Sequence, residues 1–162
     1  MKYHRPAPIA SFCTQGPYQI SAPLAWEQMR LFVREHDLRT KVIRAIGYYM
    51  DDPADVASEH IRYTACIDVG ANPPCDPAQA IHEEMFPGGV YASLDYKGET
   101  SGVGRVFSQL KRQWLPSQPV ELDSKRPFLE IYDTSNSLSY HGDFAAELGI
   151  PVLTSMNPQT MC

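Results

Sequence analysis

The residue best suited to chemistry is Glu130, in the run Pro127-Phe128-Leu129-Glu130-Ile131-Tyr132. A run of this composition reads as a strand. Alternation then puts Phe128, Glu130 and Tyr132 on one face and Leu129 and Ile131 on the other. A carboxylate between two aromatic rings suits two tasks. It compensates the charge of a flat apolar cation that the rings attract through their π faces. If buried, it binds its proton more tightly, which suits general acid or base work. From the residues alone, Glu130 reads equally well as a solvent-exposed glutamate on an open sheet face.

Other chemical groups are less suggestive. The histidines His4, His36, His60, His82 and His141 are scattered without the spacing of a metal site on a helix face. Cys13, Cys66, Cys75 and Cys162 form no Cys-x-x-Cys pair. Cys13 and Cys66 lie in apolar strand-like runs and read as buried free thiols acting as small hydrophobes. Asp51, Asp52 and Asp55 lack the spacing of a calcium loop. The stretch Gly98-Glu99-Thr100-Ser101-Gly102 leads into a helix N-terminus, where an anion is favoured, but Glu99 opposes one. No metal and no cofactor is implied.

The elements that must position Glu130 follow from periodicity and punctuation. Residues 7 to 15 read as a strand ended by Gly16-Pro17. A helix follows, with Ser21 as its cap and Pro23 in its first turn. Its stripe is Trp26, Met29, Phe32, Val33 and His36. Lys41 to Met50 and Ile61 to Val69 are two further strands, separated by the Asp51-Asp52-Pro53 break. The order then repeats. Met85 to Lys97 is a strand with a bend or bulge at Pro87-Gly88-Gly89. A helix carries Val103, Val106, Phe107, Leu110 and Trp114 and is stopped by Pro116. Strands at 127–134 and 144–153 complete the set.

The reading is therefore α+β: two βαββ units, about 7–70 and 85–153, offset by about 82 residues and forming one antiparallel sheet. The Leu129 and Ile131 face suits packing against the two helices, which leaves Glu130 on the opposite face. The seam between the halves is a natural place for a pocket. On the repeat, Tyr49 matches Tyr132 and shares that seam, while Tyr48 points into the helix layer. Tyr91, beyond the glycine bend, and Phe86 are further candidates. Trp114 reads as core or as a pocket wall. Tyr63 and Arg62 alternate, so one of them faces solvent or the pocket. Glu147 reads as a partner of Arg62 or an edge-capping polar residue.

A chain of 162 residues fits one domain spanning 1–162. Its net charge of −5 argues against a general nucleic-acid binder. No run of about 18 apolar residues is present to span a membrane, and no apolar stretch follows the basic N-terminus as in a signal peptide. A cytoplasmic protein is expected.

Three segments carry a family resemblance. They are Gly47 to Val69, with Glu59, Arg62, Tyr63 and Cys66; Gly88 to Pro116, with its Gly-x-Tyr-Ala strand and Trp-Leu-Pro helix end; and Pro127 to Asn136. In order and spacing they resemble the GyrI-like superfamily. That resemblance implies a pocket in which a glutamate, here Glu130, lies among tyrosines. It implies binding of hydrophobic, planar or cationic compounds, as in multidrug-sensing effector domains. It also implies two alternatives. One is hydrolysis of cyclopropane-containing alkylating compounds by Glu130 with Tyr132. The other is a gyrase-inhibitory interaction. The chain starts at the first strand, so no helix-turn-helix domain is expected before it. The ligand-binding set read in this way is Glu130, Tyr132, Phe128, Tyr49, Tyr91, Trp114 and Phe86.

Overall fold

The structure is a computed structural model, and it describes residues 1–52, 55–132 and 144–154. The expectations that fall on Pro53, Thr134, His141 and Cys162 lie outside the described residues. The elements are β1 (Lys2–His4), β2 (Ala7–Gln15), α1 (Tyr18–Glu35), β3 (Arg44–Tyr49), β4 (Arg62–Asp68), β5 (His82–Phe86), β6 (Gly89–Gly98), α2 (Val103–Gln109), β7 (Val120–Leu122), β8 (Phe128–Tyr132) and β9 (Phe144–Thr154). The fold is α+β, with an antiparallel sheet and two helices. Among the described residues the sheet has nine strands in the order β1-β6-β9-β8-β3-β4-β2-β5, with β7 also paired to β9. The central junction is β3 against β8, with Gly47 facing Glu130 in register.

The sheet curls because of two short links. Strands β5 and β6 stand near opposite ends of the strand order but are joined by Pro87 and Gly88 alone. Strands β1 and β2 are likewise joined by Arg5 and Pro6. The two ends must therefore approach each other. Gly88 adopts φ +63°, and a side chain there would overlap the His4 carbonyl oxygen, so only glycine fits this crossing. Met85 and Phe86 thus belong to a strand of their own on β2, and the expected single bent strand from Met85 to Lys97 is corrected. Proline supplies no N–H to continue the ladder, and the positive φ of Gly88 turns the chain out of it.

Curling gives the sheet two buried faces. Within the curl lie Ile9, Ile46, Tyr48, Cys66, Phe86, Tyr91 and Leu129. Between the sheet and the helices lies a larger core that includes Trp26, Met29, Phe32, Tyr49, Tyr63, Phe107 and Phe128. Four members of the helical stripe read from the sequence form this layer, Trp26, Met29, Phe32 and Val33 being buried, while His36 caps the end of the helix and is exposed. Burying each such side chain contributes about 2 kcal/mol.

One placement is reversed. The helices lie on the Glu130 face and not on the Leu129 and Ile131 face. The Phe107 ring of α2 sits 5.1 Å from Tyr49 and 5.3 Å from Phe128. Leu129 and Ile131 fill the curl instead. Tyr48 accordingly points into the curl, 6.0 Å from Phe86, and not into the helix layer.

Smaller corrections have local causes. Helix α1 begins at Tyr18, with Pro17 at its cap position, so Ser21 is not the cap. The Ser21 hydroxyl is buried and donates to the Gly16 carbonyl. Pro23 sits inside the helix, where the missing N–H leaves one turn without a bond. The second helix continues past α2 as a π turn, Leu110–Trp114, and a final 3-10 turn, Leu115–Ser117. Lys111 in the π turn pairs with Asp52 and Asp55 of the β3–β4 connection. Cys66 is buried, but Cys13 is exposed, because β5 covers β2 only as far as Ser11. Among the described residues Cys13, Cys66 and Cys75 are free thiols.

Two charged clusters, one on buried Asp68 and one on half-buried Arg126, anchor the ends of the curl. Asp68 is fully buried and holds Arg44 at 2.9 Å and Arg5 at 3.1 Å. Arg126 donates to the carbonyls of Gly88, Val90 and Val152, pairs with Asp123, and lies over the Tyr91 ring.

Candidate functional site

Glu130 is fully buried, at 0% exposure, in the middle of the sheet on the helix side. An isolated carboxylate there would lose several kcal/mol of hydration. Four tyrosine hydroxyls replace the water. On Oε1, Tyr18 donates at 2.6 Å and Tyr49 at 2.7 Å. On Oε2, Tyr63 donates at 3.0 Å and Tyr132 at 2.5 Å. Hydrogen bonds to a charged acceptor contribute about 1.5–3 kcal/mol each, so four offset much of the loss.

Each donor comes from a different element, for a local reason. Tyr132 is two residues along β8 and shares the face of Glu130 by alternation. Tyr49 on β3 and Tyr63 on β4 are directly opposite each other in the ladder, so both point the same way. Tyr18 opens α1, and the Gly16-Pro17 turn at the end of β2 brings it over the sheet. The rings pack edge-on or tilted: Tyr18 to Tyr49 at 5.0 Å, Tyr18 to Tyr63 at 5.6 Å, and Tyr49 to Tyr63 at 5.6 Å. Such arrangements are favourable for aromatic pairs.

The floor beneath the carboxylate is made of small residues. Gly47 lies opposite Glu130 across the β3–β8 ladder, and Ala65 lies opposite Gly47 on β4. A side chain at Gly47 would overlap the Tyr63 hydroxyl and come within 2.9 Å of Glu130 Oε2. Above, the Trp26 indole N–H donates to the Tyr63 oxygen at 2.7 Å, and the indole packs edge-on against Tyr132 at 5.1 Å.

The electrostatics follow from burial. Loss of water pushes the Glu130 carboxyl above its usual range, while the hydrogen bonds from Tyr132, Tyr18, Tyr49 and Tyr63 pull it back. Burial, reinforced by the negative charge of Glu130, raises the Tyr18 and Tyr49 hydroxyls well above their ordinary value, so both remain protonated donors. The arrangement presents a carboxylate whose partners among the described residues are all neutral phenols.

The structure brings together some of the expected site residues and separates others. Glu130, Tyr132 and Tyr49 meet in the tyrosine cluster. Phe128 lies one step along the same face, against Phe107. Trp114 is half-buried and packs on the same helix-side core. Tyr91 and Phe86 lie inside the curl, away from Glu130; the Tyr91 hydroxyl donates to the Pro127 carbonyl. Glu147 pairs with Lys2 and His4, not with Arg62, because β1 runs beside β6 at that edge. Arg62 instead makes a two-pronged pair with Asp51.

Three participants escape a reading of strand alternation alone. Tyr18 lies in a helix, outside any strand alternation. Trp26 looks like any other member of an apolar stripe. Gly47 contributes by lacking a side chain. Tyr63, read only as one of an alternating pair with Arg62, has a signal: Tyr49 and Tyr63 flank the Asp-Asp-Pro loop, and a hairpin there places them side by side.

Tyr18 and Tyr132 are the half-buried members of the cluster. Tyr132 also lines an open surface pocket of about 430 Å³, together with Asp95, Tyr96, Lys97, Ile131, Ala145, Ala146 and Glu147. Glu130 does not line it. Among the described residues, no helix is long and apolar enough to cross a membrane.

Comparison with known proteins adds three findings. Residues 1–153 match the family described as GyrI-like small molecule binding domain. Two similar proteins are named DNA gyrase inhibitor. One, from Pectobacterium carotovorum subsp. carotovorum (strain PC1), is 29% identical over 85 residues, covering 52% of this chain and 54% of that protein, so the match spans about half its length. The other, from Escherichia fergusonii, is 23% identical over 155 residues, 94% of this chain and 96% of that protein. Among solved structures, the EcmrR C-terminal domain superposes with a TM-score of 0.70 at 13% identity, over 94% of this chain and 95% of that one. This last is a likeness of fold.

Proposed function

This chain belongs to the GyrI-like small-molecule-binding domain family, and from that premise we propose that Glu130 and its tyrosines bind hydrophobic, planar or cationic small molecules. The observation that carries the reading is a fully buried carboxylate held by four neutral hydroxyls. When ionised, its charge lies in a low-dielectric setting, where attraction for a cation is far stronger than in water. The surrounding rings add cation–π attraction of about 0.5–2 kcal/mol per well-placed face. A ligand reaches Glu130 past the half-buried rings of Tyr18 and Tyr132. Phe128 and Phe107 extend the apolar wall.

The test is calorimetric titration with planar lipophilic cations and their neutral analogues. Tight binding of the cations, weakened at least tenfold by Glu130→Gln, is the expected result. Binding that is indifferent to Glu130→Gln removes the role given to that residue. The same mixtures, followed by mass spectrometry with a cyclopropane-containing alkylator, separate binding from hydrolysis. Stoichiometric protection is the outcome for a binding protein, and turnover lost in Glu130→Gln is the outcome for a hydrolase.

A second reading, interaction with DNA gyrase, draws support from the two relatives named DNA gyrase inhibitor. A supercoiling assay at saturating protein decides it. No inhibition leaves the small-molecule reading alone.

A further inference from the structure

We infer that Trp26 is a positioning residue for Glu130: its indole N–H fixes the direction in which the Tyr63 hydroxyl donates and thereby favours the ionised carboxylate. The inference deepens the reading of Glu130 as the ligand carboxylate. Its test contains no ligand, so failure of one is visible apart from failure of the other.

The argument is a count of donors and acceptors. An indole nitrogen only donates, and a phenol carries a single hydrogen. Trp26 Nε1 is 2.7 Å from the Tyr63 oxygen, and both side chains are buried. That oxygen must therefore accept from Trp26, which leaves the Tyr63 hydrogen to go to Glu130 Oε2 at 3.0 Å. The chain of donors runs one way, from indole to phenol to carboxylate.

Trp26 also packs against Tyr132, the other donor to Oε2. Both hydroxyls on that oxygen thus rest on one indole. The donors to Oε1, Tyr18 and Tyr49, rest on each other.

Protonating Glu130 works against this arrangement. The new carboxyl hydrogen needs an acceptor, but the Tyr63 oxygen is already engaged by Trp26. The hydrogen of Tyr63 would meanwhile face a neutral carboxyl oxygen, a weaker acceptor than the carboxylate. Hydrogen bonding of this kind favours the charged form of an acid. The titratable groups facing Glu130 are Tyr18 from α1, Tyr49 from β3, Tyr63 from β4 and Tyr132 from β8, all of them donors to it. From α2 the facing ring is Phe107, which does not titrate.

The experiment is infrared titration of the ligand-free protein. The carbonyl stretch of protonated Glu130 is assigned by its loss in Glu130→Gln. Trp26→Phe is expected to raise its midpoint by about one pH unit, the size of one lost hydrogen bond. In a Tyr63→Phe background, Trp26→Phe should give no further shift. Incorporating β-(3-benzothienyl)alanine at position 26 replaces the N–H by sulfur and keeps the ring shape. It should reproduce the Trp26→Phe shift and serves if that variant does not fold. An unchanged midpoint in the analogue overturns the inference. So does a shift that persists in full without the Tyr63 hydroxyl.

Discussion

Gly47 faces Glu130 across the β3–β8 ladder, and the side chain it lacks is the space that the Glu130 carboxylate and the Tyr63 hydroxyl share. The site is thus made by an absence on one strand as much as by a charge on its neighbour. A bulkier residue at the same register position would press on two members of the cluster at once.

Gly47→Ala is expected to destabilise the protein by about 1–3 kcal/mol, the usual range for overpacking a close-packed core. Urea unfolding checks this. Combining it with Tyr63→Phe should recover part of the loss, because one of the overlapping atoms is the Tyr63 hydroxyl. Equal losses with and without that hydroxyl would mean that the strain lies elsewhere.

Glu130 gives a pH dependence of defined sign. Its folded-state proton affinity is raised above the ordinary value of 4.5, chiefly by burial. Stability from this group is therefore full below about pH 4.5 and is lost as pH rises through the folded-state value. Relative to Glu130→Gln, the wild-type protein should lose stability as pH increases over that window. Paired urea melts from pH 4 to pH 8 measure the difference. Parallel curves would show that burial does not shift the group.

Glu147 should behave in the opposite way. The His4 hydrogen bond, then Lys2, hold its carboxyl down at about 2 against partial burial. Its contribution is present above about pH 4.5 and disappears as pH falls through about 2. Lys2 is well exposed, so screening reduces the pair's worth. Glu147→Gln should cost about 1 kcal/mol at pH 7, with most of that cost gone by pH 2. Thermal melts of both proteins across that range provide the check, and a difference that survives undiminished at pH 2 would point to packing as the cause.

Much of the Glu130 strand is legible in the amino-acid sequence. Period-two alternation put Phe128, Glu130 and Tyr132 together, and the structure keeps them on one face. What alternation does not say is which face the helices cover. Phe128 and Tyr132 are as apolar as Leu129 and Ile131, so neither side of β8 looks like the solvent side. In a flat two-layer sheet one of them would have been. Here the sheet curls and buries both, and the helices take the side with the carboxylate.

The amino-acid sequence by itself determined the two helices, most of the long strands and the one strand where a carboxylate sits between aromatic rings, but not the short strands β1, β5 and β7. These are local properties, set by periodicity, by Gly and Pro punctuation and by alternation. Only the tertiary structure decided what surrounds that carboxylate. Tyr18 and Trp26 come from a helix more than 100 residues earlier in the chain. Tyr63 arrives through strand register, and Gly47 matters only because Glu130 stands opposite it. Contacts of that separation depend on how the sheet closes. That closure is set by the short links Arg5-Pro6 and Pro87-Gly88, not by the composition of the strand that carries Glu130.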